Sequence, residues 1–174
     1  MKFWITEDTH LGHKVLREYS GRPENCDEYI LQNLKMPDAH DTLIHLGDIC
    51  IGNDAEWHKR FFANANCRCI LVRGNHDSKS LSWYMSHGWQ FACDRMDLNL
   101  YGKHIAFSHK PLPDDGSFDL NIHGHFHNAD HHRWEPEFQG RTGEKYKLLY
   151  QEHHYRPLSL QKIVENHKLA KDAD

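Results

Sequence analysis

Short apolar runs that stop abruptly at side chains able to bind metal constrain this chain more than any other feature. Cys69-Ile70-Leu71-Val72 is followed closely by Gly74-Asn75-His76-Asp77. An apolar run of that length closed by a turn reads as a buried strand of a parallel sheet. Such sheets carry their chemical groups at the carboxyl ends of their strands. Lys2-Phe3-Trp4-Ile5-Thr6 breaks in the same way into Glu7-Asp8-Thr9-His10-Leu11-Gly12-His13, and Thr42-Leu43-Ile44-His45-Leu46 runs directly into Gly47-Asp48. Two helical patterns lie between these strands. Asp27 is placed to cap a helix whose Ile30, Leu31 and Leu34 share a face, and Asn53-Asp54-Ala55-Glu56 resembles a capping box ahead of Trp57 and Phe61. Strand, loop, helix, strand, helix, strand is the alternation of an α/β fold.

The second half changes pattern. A helix near Leu81 to His87 precedes a β-hairpin: Met96 to Leu100, the turn Tyr101-Gly102, and His104 to Phe107, leading to Ser108-His109. Leu120-Asn121-Ile122 enters His123-Gly124-His125-Phe126-His127 as another strand. The polar stretch from Asn128 to Glu144 reads as a mobile loop or hairpin over the strand ends, and Tyr146 to Tyr150 as a last strand. A final helix begins after Ser159 with Leu160, Ile163 and Val164 facing the core, and Lys168 to Asp174 is expected to fray. Neither repeat nor linker is visible, so residues 1–174 are expected to form a single domain.

Composition narrows the function. A net charge of -4 argues against a dedicated nucleic-acid scaffold but leaves room for a small phosphorylated substrate. Five cysteines without a signal peptide suit reduced thiols in a cytoplasm, and Cys67-x-Cys69, lacking a second pair, reads as strand packing. No apolar stretch reaches the ~20 residues that cross a bilayer, so a soluble protein is expected. The 17 histidines decide nothing by number; those at strand ends carry the argument. Asp8 and His10, two apart, point to one side in extended backbone, as two ligands of one ion would. Asp48 follows a glycine that allows close backbone approach, Asn75 offers a neutral carbonyl oxygen, and His76 can exchange a proton near neutrality. Taken singly, each of these also fits a solvated turn.

Taken together they resemble a known family. Asp8-Thr9-His10, Gly47-Asp48, Gly74-Asn75-His76-Asp77, His109 and Gly124-His125-Phe126-His127 match, in order, the five motifs of the calcineurin-like metallophosphoesterases. Gly21-Arg22-Pro23 and Tyr155-Arg156-Pro157-Leu158-Ser159-Leu160 look like segments of its small, uncapped bacterial and phage members. The resemblance implies an α/β (α+β) architecture, a β-sandwich of two mixed sheets flanked by helices. It implies two divalent ions, with Mn²⁺ first and Fe, Zn or Ni as alternatives. Asp8, His10, Asp48 and His127 would hold one ion, and Asp48, Asn75, His109 and His125 the other, Asp48 bridging. Carboxylate, amide and imidazole suit such ions. The implied reaction is phosphoester hydrolysis by a metal-bridging hydroxide. His76 would steady charge or protonate the leaving oxygen, and Asp77 would orient its ring.

Some positions go beyond the pattern. Glu7, where relatives carry a small polar residue, is expected to face away from the site. Lys110 is expected in solvent, and His123 behind the ligands rather than among them. Contact between His13 and phosphate stays open. His131, His132, His153 and His154 fit no motif and read as surface. Three functions compete: a phosphoesterase for small diesters or nucleotides, a nuclease on DNA or RNA, and a non-catalytic interaction module. The acidic charge and lack of a DNA-binding extension disfavour the nuclease, and the full ligand set disfavours the module. The natural substrate and the oligomeric state are not legible in the chain.

Overall fold

Period-two alternation along the strands divides the apolar residues between two cores. The computed structural model describes residues 1–128 and 135–169. In chain order its elements are β1 (Phe3–Thr6), α1 (Lys14–Ser20), α2 (Cys26–Asn33), β2 (Thr42–His45), α3 (Asp54–Asn64), β3 (Arg68–Val72) and α4 (Leu81–Ser86). There follow β4 (Phe91–Cys93), β5 (Met96–Leu100), β6 (Lys103–Phe107), β7 (Leu120–His123), β8 (Tyr146–Leu148), β9 (Leu158–Ser159) and α5 (Leu160–Leu169). Short 3₁₀ turns lie at Pro136–Phe138 and Gln151–His153. One sheet has the order β4-β3-β2-β1-β9, parallel except for β9. The other has the order β5-β6-β7-β8, with β5 antiparallel and the rest parallel. Both sheets are therefore mixed, and helices flank them.

Leu43 of β2 and Cys69 and Leu71 of β3 point to the helices, where they meet Ile30 and Leu31 of α2, Phe61 of α3 and Tyr84 of α4. The alternate residues Ile5, Ile44 and Val72 point the other way, onto Ile105, Phe107, Leu120 and Ile122 of the second sheet. Leu160, Ile163 and Val164 of α5 join that inter-sheet core, as the sequence suggested. A central strand buried on both faces leaves its side chains no outlet except at its end. That geometry concentrates the polar groups of the motifs at one edge of the sandwich.

Several local readings are corrected. Asn25, not Asp27, occupies the N-cap position of α2. Asp27 lies in the first turn, where its carboxylate accepts the Gly12 N–H at 3.0 Å and pairs with Arg17. Helix α1 was not foreseen, since its apolar residues bury no continuous face; β4 and β9, of three and two residues, are too short to show a period. The strand read over Tyr146 to Tyr150 ends at Leu148. Asn53 does cap α3, accepting the Glu56 N–H at 3.5 Å. Within the segment read as a loop, Phe138 is buried against Phe126, ring centroids 5.1 Å apart. Residues 129–134 of it, with His131 and His132, lie outside the described residues. Helix α5 extends its backbone to Leu169 where fraying was expected, and residues 170–174 lie outside the described ones. Among the described residues no helix is long and apolar enough to cross a membrane.

His45, at the end of β2, is fully buried with both ring nitrogens engaged. Nδ1 accepts the Gly47 N–H at 3.1 Å, so Nε2 carries the proton and donates to Thr9 Oγ1 at 3.0 Å. Thr9 in turn donates to the Ile49 carbonyl at 2.8 Å. Burial pushes the His45 pKa down to about 3. Its unfolded value is the higher one, so the unfolded chain binds the extra proton between those values and stability falls as pH drops below about 6.5. At pH 5 this one group should cost about 2 kcal/mol. Urea unfolding of metal-free protein at pH 7.5 and pH 5 checks it. His45→Gln should show a smaller loss on acidification than wild type, and equal losses would remove His45 from the account.

Candidate metal centre

Each motif begins where a strand runs out, and the backbone there turns through unusual conformations. Asp8 (φ 42°), His10 (φ 44°), Asp48 (φ 56°), His125 (φ 74°) and His127 (φ 49°) all sit in the left-handed region. Each such non-glycine residue costs roughly 1–3 kcal/mol and persists only where its surroundings enforce it. Here the loops enforce one another. Asp8 N donates to Gly47 O at 3.0 Å, and His10 N to Asp48 O at 2.9 Å. The His125 N–H donates to Asp8 Oδ2 at 2.7 Å, and the His76 N–H to Asp48 Oδ1 at 2.8 Å. Two motif glycines are steric necessities. A Cβ on Gly74 would lie 2.1 Å from Asp48 Oδ1, and one on Gly124 2.3 Å from Asp8 Oδ2.

These turns converge seven side chains from both sheets. Asp8, His10 and His127 form one trio whose ligand atoms lie within 4.8 Å of one another; Asp48, His109 and His125 form a second. Asp48 Oδ2 stands between the two, 3.4 Å from His10 Nε2 and 3.3 Å from His109 Nε2. Asn75 Oδ1 is 2.9 Å and His125 Nδ1 3.1 Å from His109 Nε2. His109 Nδ1 donates to the Leu46 carbonyl at 2.8 Å, which turns Nε2 inward. Asp8 Oδ1 and His10 Nε2 are buried with no hydrogen-bond partner. A buried carboxylate oxygen and a buried imidazole nitrogen, both without a hydrogen-bond partner, are a costly arrangement in protein alone and a suitable one around a cation.

Electrostatics point the same way. Burial, helped by the charges of Asp48 and Glu7, raises the Asp8 pKa to about 7 against the pull of His109 and His127. Burial would lower His109, but its hydrogen bond to Asp48 and the charges of Asp8 and Asp48 outweigh that and raise it to about 9. The pocket thus attracts positive charge, and a metal there would displace the His109 proton.

A family model for calcineurin-like phosphoesterases matches residues 1–171. The chain belongs to that family. Its fold is shared with a crystal structure of a protein of unknown function from Aquifex aeolicus, 24% identical over 95% of this chain and 98% of that one, with a TM-score of 0.74. A Pseudomonas putida nuclease is similar at 22% identity over 72% of this chain and 61% of that one, with a TM-score of 0.48. An archaeal phosphodiesterase shows 21% identity over 72% and 73%, with a TM-score of 0.42. No curated protein sequence matches the chain.

In this member of the family His76 stands apart from both trios. Its side chain is 44% exposed, and Nε2 lies 4.0 Å from Asp48 Oδ2. The expectation that Asp77 orients the His76 ring is corrected. Asp77 Oδ2 accepts the N–H groups of Gly74 (2.7 Å) and Asp48 (2.8 Å), and Oδ1 that of Ile49 (3.1 Å). Its carboxylate is a backbone clamp between the two loops and reaches no imidazole. Glu7 is fully buried, with His154 Nε2 3.6 Å from its Oε1, so His154, expected at the surface, is not a surface residue. His153 is exposed. Lys110 pairs with Glu137 at 3.6 Å, and His123 is buried with Nδ1 3.0 Å from the Gly124 carbonyl. His13 Nδ1 lies 3.4 Å from His10 Nδ1, at the site.

Two supporting residues were given no role by the sequence, although Arg22 lies in the Gly21-Arg22-Pro23 segment; Glu152 had no local signal. Arg22 donates from Nη2 to the Asp8 carbonyl (2.9 Å), from Nη1 to that of Thr9 (3.1 Å) and from Nε to Glu152 Oε1 (2.7 Å). Glu152 Oε1 in turn stands 3.5 Å from His127 Nδ1. The buried pair therefore braces the first loop and the His127 ring from 130 residues apart in sequence.

Proposed function

We propose that this protein is a dinuclear-metal phosphodiesterase acting on small phosphate esters, with Mn²⁺ as its resident ion. Asp8, His10, Asp48 and His127 would hold one ion and Asp48, Asn75, His109 and His125 the other. The observation that carries the reading is Asp48 Oδ2, placed almost equally between His10 Nε2 and His109 Nε2. Two ions so held would supply Lewis-acid charge and lower the pKa of bound water toward neutrality. His76, outside both trios and open to solvent, is placed to hold a proton for the leaving oxygen or to steady charge on the phosphoryl group. Asp77 and Arg22 keep the loops in register, and Glu152 keeps His127 aimed inward. Five thiols without disulfides suit the cytoplasm.

A diester is favoured over a monoester. The cavity beside the ligands, about 240 Å³, has neither lysine nor arginine among its described lining residues. With the two divalent ions supplying the positive charge, a diester monoanion asks for no further cation, whereas a monoester dianion brings one more negative charge to the same site. Elemental analysis after reconstitution should approach two Mn²⁺ per chain, and saturation at one would sink the dinuclear model. Bis-aryl phosphodiesters should be cleaved at least as fast as aryl monoesters by the loaded protein. A clean monoesterase profile would refute that preference.

A further inference from the structure

Strand β9, of two residues, forms one edge of the first sheet, and β8, of three, forms one edge of the second. A cavity of about 740 Å³ is lined by residues of both strands, of β1 and of α5. It shares no lining residue with the cavity beside the candidate ligands, and every residue that lines it is among the described ones. Its volume suits a ligand of nucleotide size.

The lining combines two chemistries. Its apolar part is held in place: Trp4 is half-buried with Nε1 donating to Asp41 Oδ2 at 2.9 Å, and Pro157 is buried. Its polar part is cationic, with Lys2, Lys147, Arg156 and Lys162. Lys2 shares the field of Asp41, but Lys147, Arg156 and Lys162 have no carboxylate at ion-pair distance among the described residues. The one carboxylate in the lining, Glu165, accepts from Gln161 Nε2 at 2.8 Å. Elsewhere in this chain of net charge -4, Arg73 holds Asp94 at 2.7 Å, Arg95 holds Asp97 at 2.8 Å and Lys145 holds Asp114 at 2.8 Å. Three cations around one apolar cavity without a counter-charge repel one another, and an anion between them removes that cost.

We infer that this cavity is a binding site for a small organic anion. The negative group of the ligand meets Lys147, Arg156 and Lys162, while an aromatic or aliphatic body lies against Trp4 and Pro157. The site is separate from the metal centre and needs no metal to form.

Two fluorescent probes test it. 1-Anilinonaphthalene-8-sulfonate and N-phenyl-1-naphthylamine share one aromatic body and differ in the sulfonate. Titrated at low salt into the full chain, the sulfonate should bind about tenfold tighter than the neutral amine, the scale of two or three solvent-facing charge pairs. The preference should be the same in metal-free and Mn²⁺-loaded protein. Arg156→Gln with Lys162→Gln, both exposed and outside the metal centre, should erase most of it while leaving the neutral probe and Mn²⁺ content unchanged. Arg156→Lys with Lys162→Arg, which keeps both charges, should preserve it. No preference for the sulfonate in wild type, or an undiminished one in the glutamine variant, would overturn the site. A preference that requires Mn²⁺ would overturn it too, by placing the sulfonate at the metal centre. So would equal weakening of both probes in the glutamine variant, since the effect would then not be one of charge.

Discussion

Asp48→Asn should strip metal from both positions and lower turnover by roughly 10³-fold or more, the scale of losing several kcal/mol of charge stabilisation. The direction follows from the two oxygens' separate duties. Oδ1 accepts the His76 N–H, and only an oxygen can do so. The asparagine amide nitrogen would then occupy the place of Oδ2, facing His10 Nε2 and His109 Nε2 with hydrogens where a lone pair is needed. The variant should therefore fold and keep its loop contacts while binding well under two equivalents. His10→Ala, which touches one trio, should lose chiefly one equivalent. Two retained equivalents and a full rate in Asp48→Asn would show that the carboxylate is not shared.

His76→Ala should keep both metals and the fold yet lower turnover by roughly 10²–10⁴-fold, the usual range for a lost general acid. The ring belongs to neither trio, so metal content is the internal control. A nitrophenolate departs without a proton, and the loss should shrink for such esters. A loss independent of the leaving group would assign His76 to the phosphoryl oxygens instead. Release of a metal would make it a ligand.

The parts of this architecture visible in the sequence are those where one residue's chemistry coincides with a local period. Ile44 and Leu43 alternate between the two cores, so β2 is readable, and the residue that follows its turn, Asp48, stands out. Helix α1 was hidden because its apolar residues bury no continuous face. Asp77 was misread because nothing local says that a buried carboxylate will prefer three backbone N–H groups to a neighbouring ring. Glu7 and His154 approach across the fold, and so do Arg22 and Glu152, at separations where only the assembled chain brings them together.

The provenance of the ligands has a mechanical consequence. Asp8 and His10 follow β1 in one sheet, but the His127 that completes their trio follows β7 in the other. Asp48 likewise comes from the first sheet, and its partners His109 and His125 from the second. Any ion seated in either trio would thus act as a rivet through the open edge of the sandwich. Free metal at a hundred times its Kd would add about 2.7 kcal/mol per site against separation of the layers. Chelation would leave the greasy interior intact and loosen the rim, so metal supply in the cell would set how readily a protease finds the ligand loops.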